Sequence, residues 1–307
     1  MNKVPISLEP STFVICITPF DADGNVDENT FRGHLRRLAD SGIGVYVGGS
    51  GSGEGYTLAP AEMQRILEIA VEELKGKVPV RAMGVEPRTS KQMVDFLKLA
   101  KSTGVEAAQI YSLDVGHGAA PQPEEIAAYF TDVLEGADVP VVLSTHQSVG
   151  YKLSVPVMAE MVERYPHLVG VNVTHQDLGY VASVVDAVAK KVPVHVGGPM
   201  QGLTILAMGG QGYLSSDGNI APRLCVSVID RYKAGDMPGM MEAFGRLIRL
   251  FGTVLECGGI RVTKAALNRL GLPGGYPRRP RLPVEDARLD RVLKVIEDLD
   301  IARTEKW

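Results

Sequence analysis

Short apolar runs alternate with longer stretches of helical spacing over the first two-thirds of the chain. Phe13–Thr18 is β-branched and apolar, and it ends in Thr18-Pro19-Phe20 before a turn at Asp21–Gly24. Glu28–Ser41 carries Phe31, Leu35 and Leu38 on one helical face and stops at Gly42. Ile43–Val47 is the next apolar run, and Ala59–Leu74 then aligns Met63, Ile66, Leu67, Ala70 and Leu74. Val78-Pro79-Val80, Val139-Pro140-Val141 and Val192-Pro193-Val194 each open a strand, 61 and 53 residues apart, or two strand–helix units each. Proline is tolerated at a strand's first residue.

The pattern predicts eight strands, near 13–18, 43–48, 80–85, 106–112, 139–144, 168–173, 193–197 and 212–216. Strands this apolar, separated by helices, form a parallel sheet covered by helices. The expected fold is therefore α/β, a (β/α)8 TIM barrel. A doubly wound open sheet is the alternative, but no GxGxxG follows the first strand. After Ala221 the alternation stops. Arg223–Lys233, Pro238–Glu256, Ile260–Leu270 and Val284–Leu299 all have helical spacing, with a Pro/Gly/Arg-rich connector at Leu272–Pro283. The expected division is a barrel over 1–234 and a C-terminal helical extension over 235–307.

Period-two alternation assigns the inward strand positions. They are Gln109 and Tyr111 in strand four; Val142, Ser144 and His146 in strand five; Gly170, Asn172 and Thr174 in strand six; and His195 and Gly197 in strand seven. None is lysine. Barrel active sites form at the C-terminal ends of the strands.

The stretch Gly48–Leu58 follows the second strand, and seven of its first eight residues are Gly or Ser, with Glu54 the exception. Such a loop brings backbone N–H groups close to an anion. Read alone, it is equally a plain flexible turn. Two neighbouring strand ends repeat a tripeptide, Thr145-His146-Gln147 and Thr174-His175-Gln176, and His117 lies in the long loop after strand four. Histidine serves as acid, base or metal ligand. Three imidazoles on adjacent loops suit a metal, but separate hydrogen-bonded loop residues are expected here and no metal site is assigned. His195 is read as an interior histidine, and His34 and His167 as surface or helix-end residues.

Composition narrows the function classes. The chain has 307 residues, 45% hydrophobic and 22% charged, with a net charge of −4. That balance offers no basic surface for nucleic acid and no polybasic membrane patch. Cys16, Cys225 and Cys257 are scattered, without CxxC spacing. A disulfide framework is not expected, and a reducing cytoplasm is the simplest setting. Met1–Pro10 has no apolar core of a secretory signal. No apolar run reaches the roughly 18 residues of a membrane span.

The chain resembles the dihydrodipicolinate synthase / N-acetylneuraminate lyase family over nearly its whole length. Thr18-Pro19-Phe20 with Gly24 and Asp27 resembles the family's opening. Ser50-Gly51-Ser52-Gly53-Glu54, with Leu58 and Glu62 beyond, is similar to its Gly-Thr-Thr-Gly-Glu signature, which binds a pyruvate carboxylate. Gly209-Gly210-Gln211-Gly212 through Asn219 resembles the eighth strand, and Lys264-Ala265-Ala266-Leu267 through Gly271-Leu272 the C-terminal helix. The resemblance implies a lyase needing no cofactor, usually a homotetramer. Apolar rows at Met240, Phe244, Leu247 and Leu250, and at Leu289, Val292, Leu293 and Ile296, fit such a homo-oligomer.

The same resemblance marks a break in chemistry. Family members form a Schiff base on a strand-six lysine in a Gly-Ile-Lys-Glu setting, whereas this chain reads Gly170-Val171-Asn172-Val173. The family's strand-five relay tyrosine falls on Ser144, and the arginine after it has no match in Gln147–Gly150. The expected ligand is a small carboxylate resembling a 2-oxo acid. Ser50, Gly51, Ser52, Gly53, Glu54, Ser144, Asn172, Gly197 and Leu214 are its expected contacts, and His146, His175 and Tyr111 are the groups to move protons. Two other classes stay open. One is a non-catalytic carboxylate-binding or regulatory protein. The other is a phosphate-using barrel with its site at Gly197-Gly198 and Ser215–Gly218.

Overall fold

Eight strands close on one another in chain order to form a parallel barrel. The computed structural model describes residues 6–307. Residues 1–5, half of the stretch read for a secretory signal, lie outside the described residues. The strands are β1 (Ser11–Ile15), β2 (Gly44–Val47), β3 (Val80–Ala82), β4 (Ala107–Tyr111), β5 (Val141–His146), β6 (Leu168–Thr174), β7 (Val194–Gly197) and β8 (Gly212–Ser215). The intervening helices are α1 (Glu28–Ala39), α2 (Pro60–Leu74), α3 (Ser90–Thr103), α4 (Pro123–Glu135), α5 (Val155–Arg164), α6 (Leu178–Val188) and α7 (Gly202–Ala207). After β8 come α8 (Pro222–Lys233), α9 (Met237–Glu256), α10 (Ile260–Arg269), α11 (Ala287–Asp298) and α12 (Ile301–Glu305).

The three Val-Pro-Val openings do the same job in three places. Each proline stands just before its strand, and its carbonyl accepts the neighbouring strand's first ladder bond. Val45 N–H donates to Pro79 O, Ala108 N–H to Pro140 O and Val171 N–H to Pro193 O, each at 2.9 Å. Proline lacks a donor but keeps its acceptor, so it fits where only the carbonyl is used. Helix starts follow local chemistry too. Asp27 caps α1 through Thr30 N–H, Thr89 caps α3 through Gln92 N–H, and proline opens α2, α4 and α8.

The chain sorts into two compact units. One is Arg81–Tyr213 with the described residues before Ser11; the other is Ser11–Val80 with Leu214–Trp307. Gly235, the expected boundary, lies inside the second unit. The reason is the two apolar rows of the extension: Met240, Leu247, Leu250, Leu289, Val292 and Ile296 are buried within this chain. Those six residues therefore hold α8, α9 and α11 together, while Phe244 and Leu293 of the same rows stay half-buried. α12 was not anticipated. Glu305 on it accepts backbone N–H bonds from Arg223 and Leu224, at 3.1 and 2.9 Å, at the start of α8. Among the described residues no helix is long and apolar enough to cross a membrane.

Candidate functional site

Strands β4 to β7 carry one polar row. Tyr111 pairs with Ser144, Ser144 with Asn172, and Asn172 with His195 in the sheet register. All four are buried. Asn172 Nδ2 donates to Gln109 Oε1 at 2.6 Å. Since β5 lies between β4 and β6, this bond runs across the face of the sheet and puts both amides on one side. Val171 and Val173 then point the other way. His195 fits the interior reading: burial, with Arg81 nearby, pushes its pKa down to about 3, so it is neutral. Gly197 abuts Thr174, whose hydroxyl occupies the space a side chain at 197 would need. Leu214 is buried in β8.

The two Thr-His-Gln turns share a geometry that alters their chemistry. Ser148 N–H donates to His146 Nδ1 at 3.1 Å, and Asp177 N–H donates to His175 Nδ1 at 3.0 Å. A nitrogen that accepts from a backbone N–H carries no proton, so each neutral ring holds its hydrogen on Nε2. Burial also holds His146 below the usual histidine range. In this geometry Nδ1 of each ring is occupied by a backbone N–H, and Nε2 is the atom each ring presents. Lys152, in the segment between β5 and α5, pairs with Asp177 at 2.5 Å.

The Gly/Ser loop belongs to the other unit. Among the described residues no partner is seen for the backbone N–H of Gly51, Ser52 or Gly53, as an anion site requires. The loop folds tightly on itself, with Gly55 N–H donating to Gly49 O at 3.1 Å. A Cβ on Gly53 would lie 2.8 Å from both Gly49 N and Gly49 O.

Glu54 does not behave as a ligand contact. It is fully buried, and both carboxylate oxygens are taken. Lys264 Nζ on α10 bonds Oε1, and Arg278 N–H donates to Oε2 at 3.1 Å. Lys264 Nζ also donates to Thr18 O at 2.7 Å and Tyr276 O at 3.0 Å. The Phe20 ring lies 4.7 Å from Lys264 Nζ and 4.2 Å from the Arg278 guanidinium. Sequence reasoning missed this pair because its members are 210 residues apart. The available signal was a lone lysine on the apolar face Val262, Ala266 and Leu267 of α10.

Two further expectations change. His34 is fully buried, its Nε2 2.9 Å from Asn219 Oδ1, and burial pushes its pKa down to about 3. The loop after β8 is closed on itself and offers phosphate little. Asp217 N–H and Gly218 N–H both donate to Ser215 Oγ, at 3.1 and 3.2 Å, and Asp217 itself is buried there. Among the described residues no three His, Cys, Asp or Glu side chains gather as a metal site.

The model of the Dihydrodipicolinate synthetase family matches residues 10–299. The chain belongs to that family. It is 30% identical over 276 residues to the 4-hydroxy-tetrahydrodipicolinate synthase of Methanopyrus kandleri, covering 89% of this chain and 90% of the relative. In fold it matches a dihydrodipicolinate synthase of Bacillus anthracis, with a TM-score of 0.87, 23% identity, and 95% and 99% of the two chains covered. Proteus mirabilis N-acetylneuraminate lyase also matches, with a TM-score of 0.83, 19% identity, and 98% and 100% coverage.

The buried polar positions Gln109, Tyr111, Ser144, Asn172 and His195 of β4–β7 hold amides, hydroxyls and imidazole, and no lysine is among them. Lys264 is the one fully buried lysine among the described residues. Its three ammonium protons meet Glu54, Thr18 O and Tyr276 O, which leaves the nitrogen no lone pair for attack.

Proposed function

We propose that this aldolase-superfamily barrel acts on a small carboxylate of the 2-oxo acid type without forming an imine. The observation that carries the reading is Asn172. It stands where the family resemblance places the imine-forming lysine, and it is buried and bonded to Gln109. An amide nitrogen can donate a hydrogen bond but cannot attack a carbonyl. The Gly51–Gly53 N–H groups offer a carboxylate site, and Ser144 and Asn172 offer hydrogen bonds to a carbonyl or hydroxyl. His146 and His175 offer Nε2–H donors. Tyr111 remains as the hydroxyl able to exchange a proton.

A second reading, a non-catalytic carboxylate-binding homologue, is favoured by the same histidine geometry, in which a backbone N–H occupies Nδ1 of each ring. Pyruvate is the probe that separates the two. Calorimetric titration should show binding, and proton NMR in D2O should show its methyl protons exchanging faster than in buffer. Binding without exchange would favour the non-catalytic reading, and no binding by pyruvate or other small 2-oxo acids would reject both.

The loop's part is tested by Gly53→Ala. A Cβ at 53 meets the Gly49 backbone, so the turn must open and re-aim its N–H groups. Pyruvate affinity should fall at least tenfold while the far-ultraviolet circular dichroism is unchanged. Unaltered affinity would remove the loop from the site.

A further inference from the structure

We infer that Lys264 is a positioning residue for the Ser50–Glu54 loop, so that the helical extension sets the aim of the loop's N–H groups. The binding half of this inference rests on reading that loop as a carboxylate site; the positioning half does not.

Glu54 has φ 51°, a left-handed conformation that a residue with a Cβ adopts only under constraint. The constraint comes from the extension. Lys264 and the Arg278 N–H hold the two carboxylate oxygens. The Arg278 side chain then reaches past the loop. It donates to Thr57 O at 2.8 Å and Gly24 O at 2.7 Å, and it forks onto Glu62 at 2.6 and 2.9 Å. Residues 54 and 57 are thus both tied to the extension.

Gly51, Ser52 and Gly53 carry almost no side chain, so packing can do little to fix their backbone. Glu54 directly follows them, and Thr57 N–H and Thr57 Oγ1 both bond Glu54 O, at 2.9 and 2.8 Å. The direction of three small residues is therefore inherited from Glu54, and the placement of Glu54 from Lys264. Thr18 O, bonded to the same ammonium, ties the segment after β1 into the arrangement.

The test combines hydrogen exchange with pyruvate titration on three full-length proteins: wild type, Lys264→Met, and Glu54→Gln/Lys264→Met. Removing one partner leaves a buried charge, whereas removing both charges restores a neutral interior. Both variants should show at least tenfold faster amide exchange than wild type at the bonded loop amides Gly55, Thr57 and Leu58, with α3 and α4 unchanged. Both should bind pyruvate at least tenfold more weakly. The double variant decides, because a purely structural role predicts that loop protection and affinity return with global stability. A stable double variant with wild-type exchange at those amides would overturn the inference. If wild type takes no pyruvate, the carboxylate reading fails, and the exchange result alone decides on Lys264.

Discussion

Lys264→Met is expected to lower the stability of the folded chain by about 3–5 kcal/mol, and adding Glu54→Gln is expected to recover most of that loss. Both side chains have 0% exposure. Burial pulls the Lys264 ammonium down to about 8, against the attraction of Glu54. An ammonium so placed is kept charged by its three oxygens, and removing it leaves the Glu54 carboxylate in a dry site with only the Arg278 N–H. The double variant exchanges an ion pair for a neutral amide beside an apolar chain of similar length, which is close to neutral in free energy. Urea unfolding of wild type, both singles and the double gives the coupling directly. Additive losses would show that the pair acts as two unrelated residues.

Stability should also fall as pH drops below about 6.5, led by two histidines. His34 and His195 have folded pKa values near 3, against an ordinary 6.5, because burial disfavours their charged forms. Between those values the unfolded chain binds two protons that the folded chain refuses, so stability is lost as pH falls. His146 and His167, also lowered by burial, act in the same direction. Asp217 opposes them. Burial raises its pKa from 3.8 to about 7, so over that window the folded chain holds the extra proton. Glu305, raised by burial, opposes them as well. The three groups with the largest shifts, two histidines against Asp217, leave a net of one proton, or about 1.4 kcal/mol per pH unit between roughly pH 6 and 4. Below pH 4.5 the loss should steepen, because the unfolded chain's Glu73 takes a proton that the folded one, held down to about 2 by Arg36 and Arg32, refuses. Asp217→Asn removes the larger opposing term. It should roughly double the slope between pH 6 and 4 and stabilise the chain at pH 8. An unchanged slope in that variant would contradict the assignment.

Much of the fold was legible because its signals are local. The Val-Pro-Val openings marked three strands within two residues of their observed starts, since a proline carbonyl in the ladder constrains both residue type and position. Alternation placed Asn172 and Gln109 on one face of the sheet, as their mutual bond requires. His34 could have been placed too: it lies three residues after Phe31 and one before Leu35, inside the helix face that α1 buries. Other features were out of reach. The Glu54–Lys264 pair joins segments that no periodicity connects. The tautomers of His146 and His175 depend on how two turns fold back by two residues, which repeated letters alone do not specify. The extension's apolar rows were visible, but whether they meet this chain or a second copy is a matter of tertiary packing.

Converting Asn172→Lys would place an amine in the polar row of β4–β7, and this variant serves as the positive control for the central claim. Wild type and variant are each incubated with pyruvate and borohydride, and their intact masses are then measured. Wild type should show no adduct, because Asn172 has no nucleophilic nitrogen and Lys264 is bonded to three oxygens. A stoichiometric pyruvyl adduct on wild type, mapping to Lys152, Lys264 or any other lysine, would contradict the account and return this chain to imine chemistry.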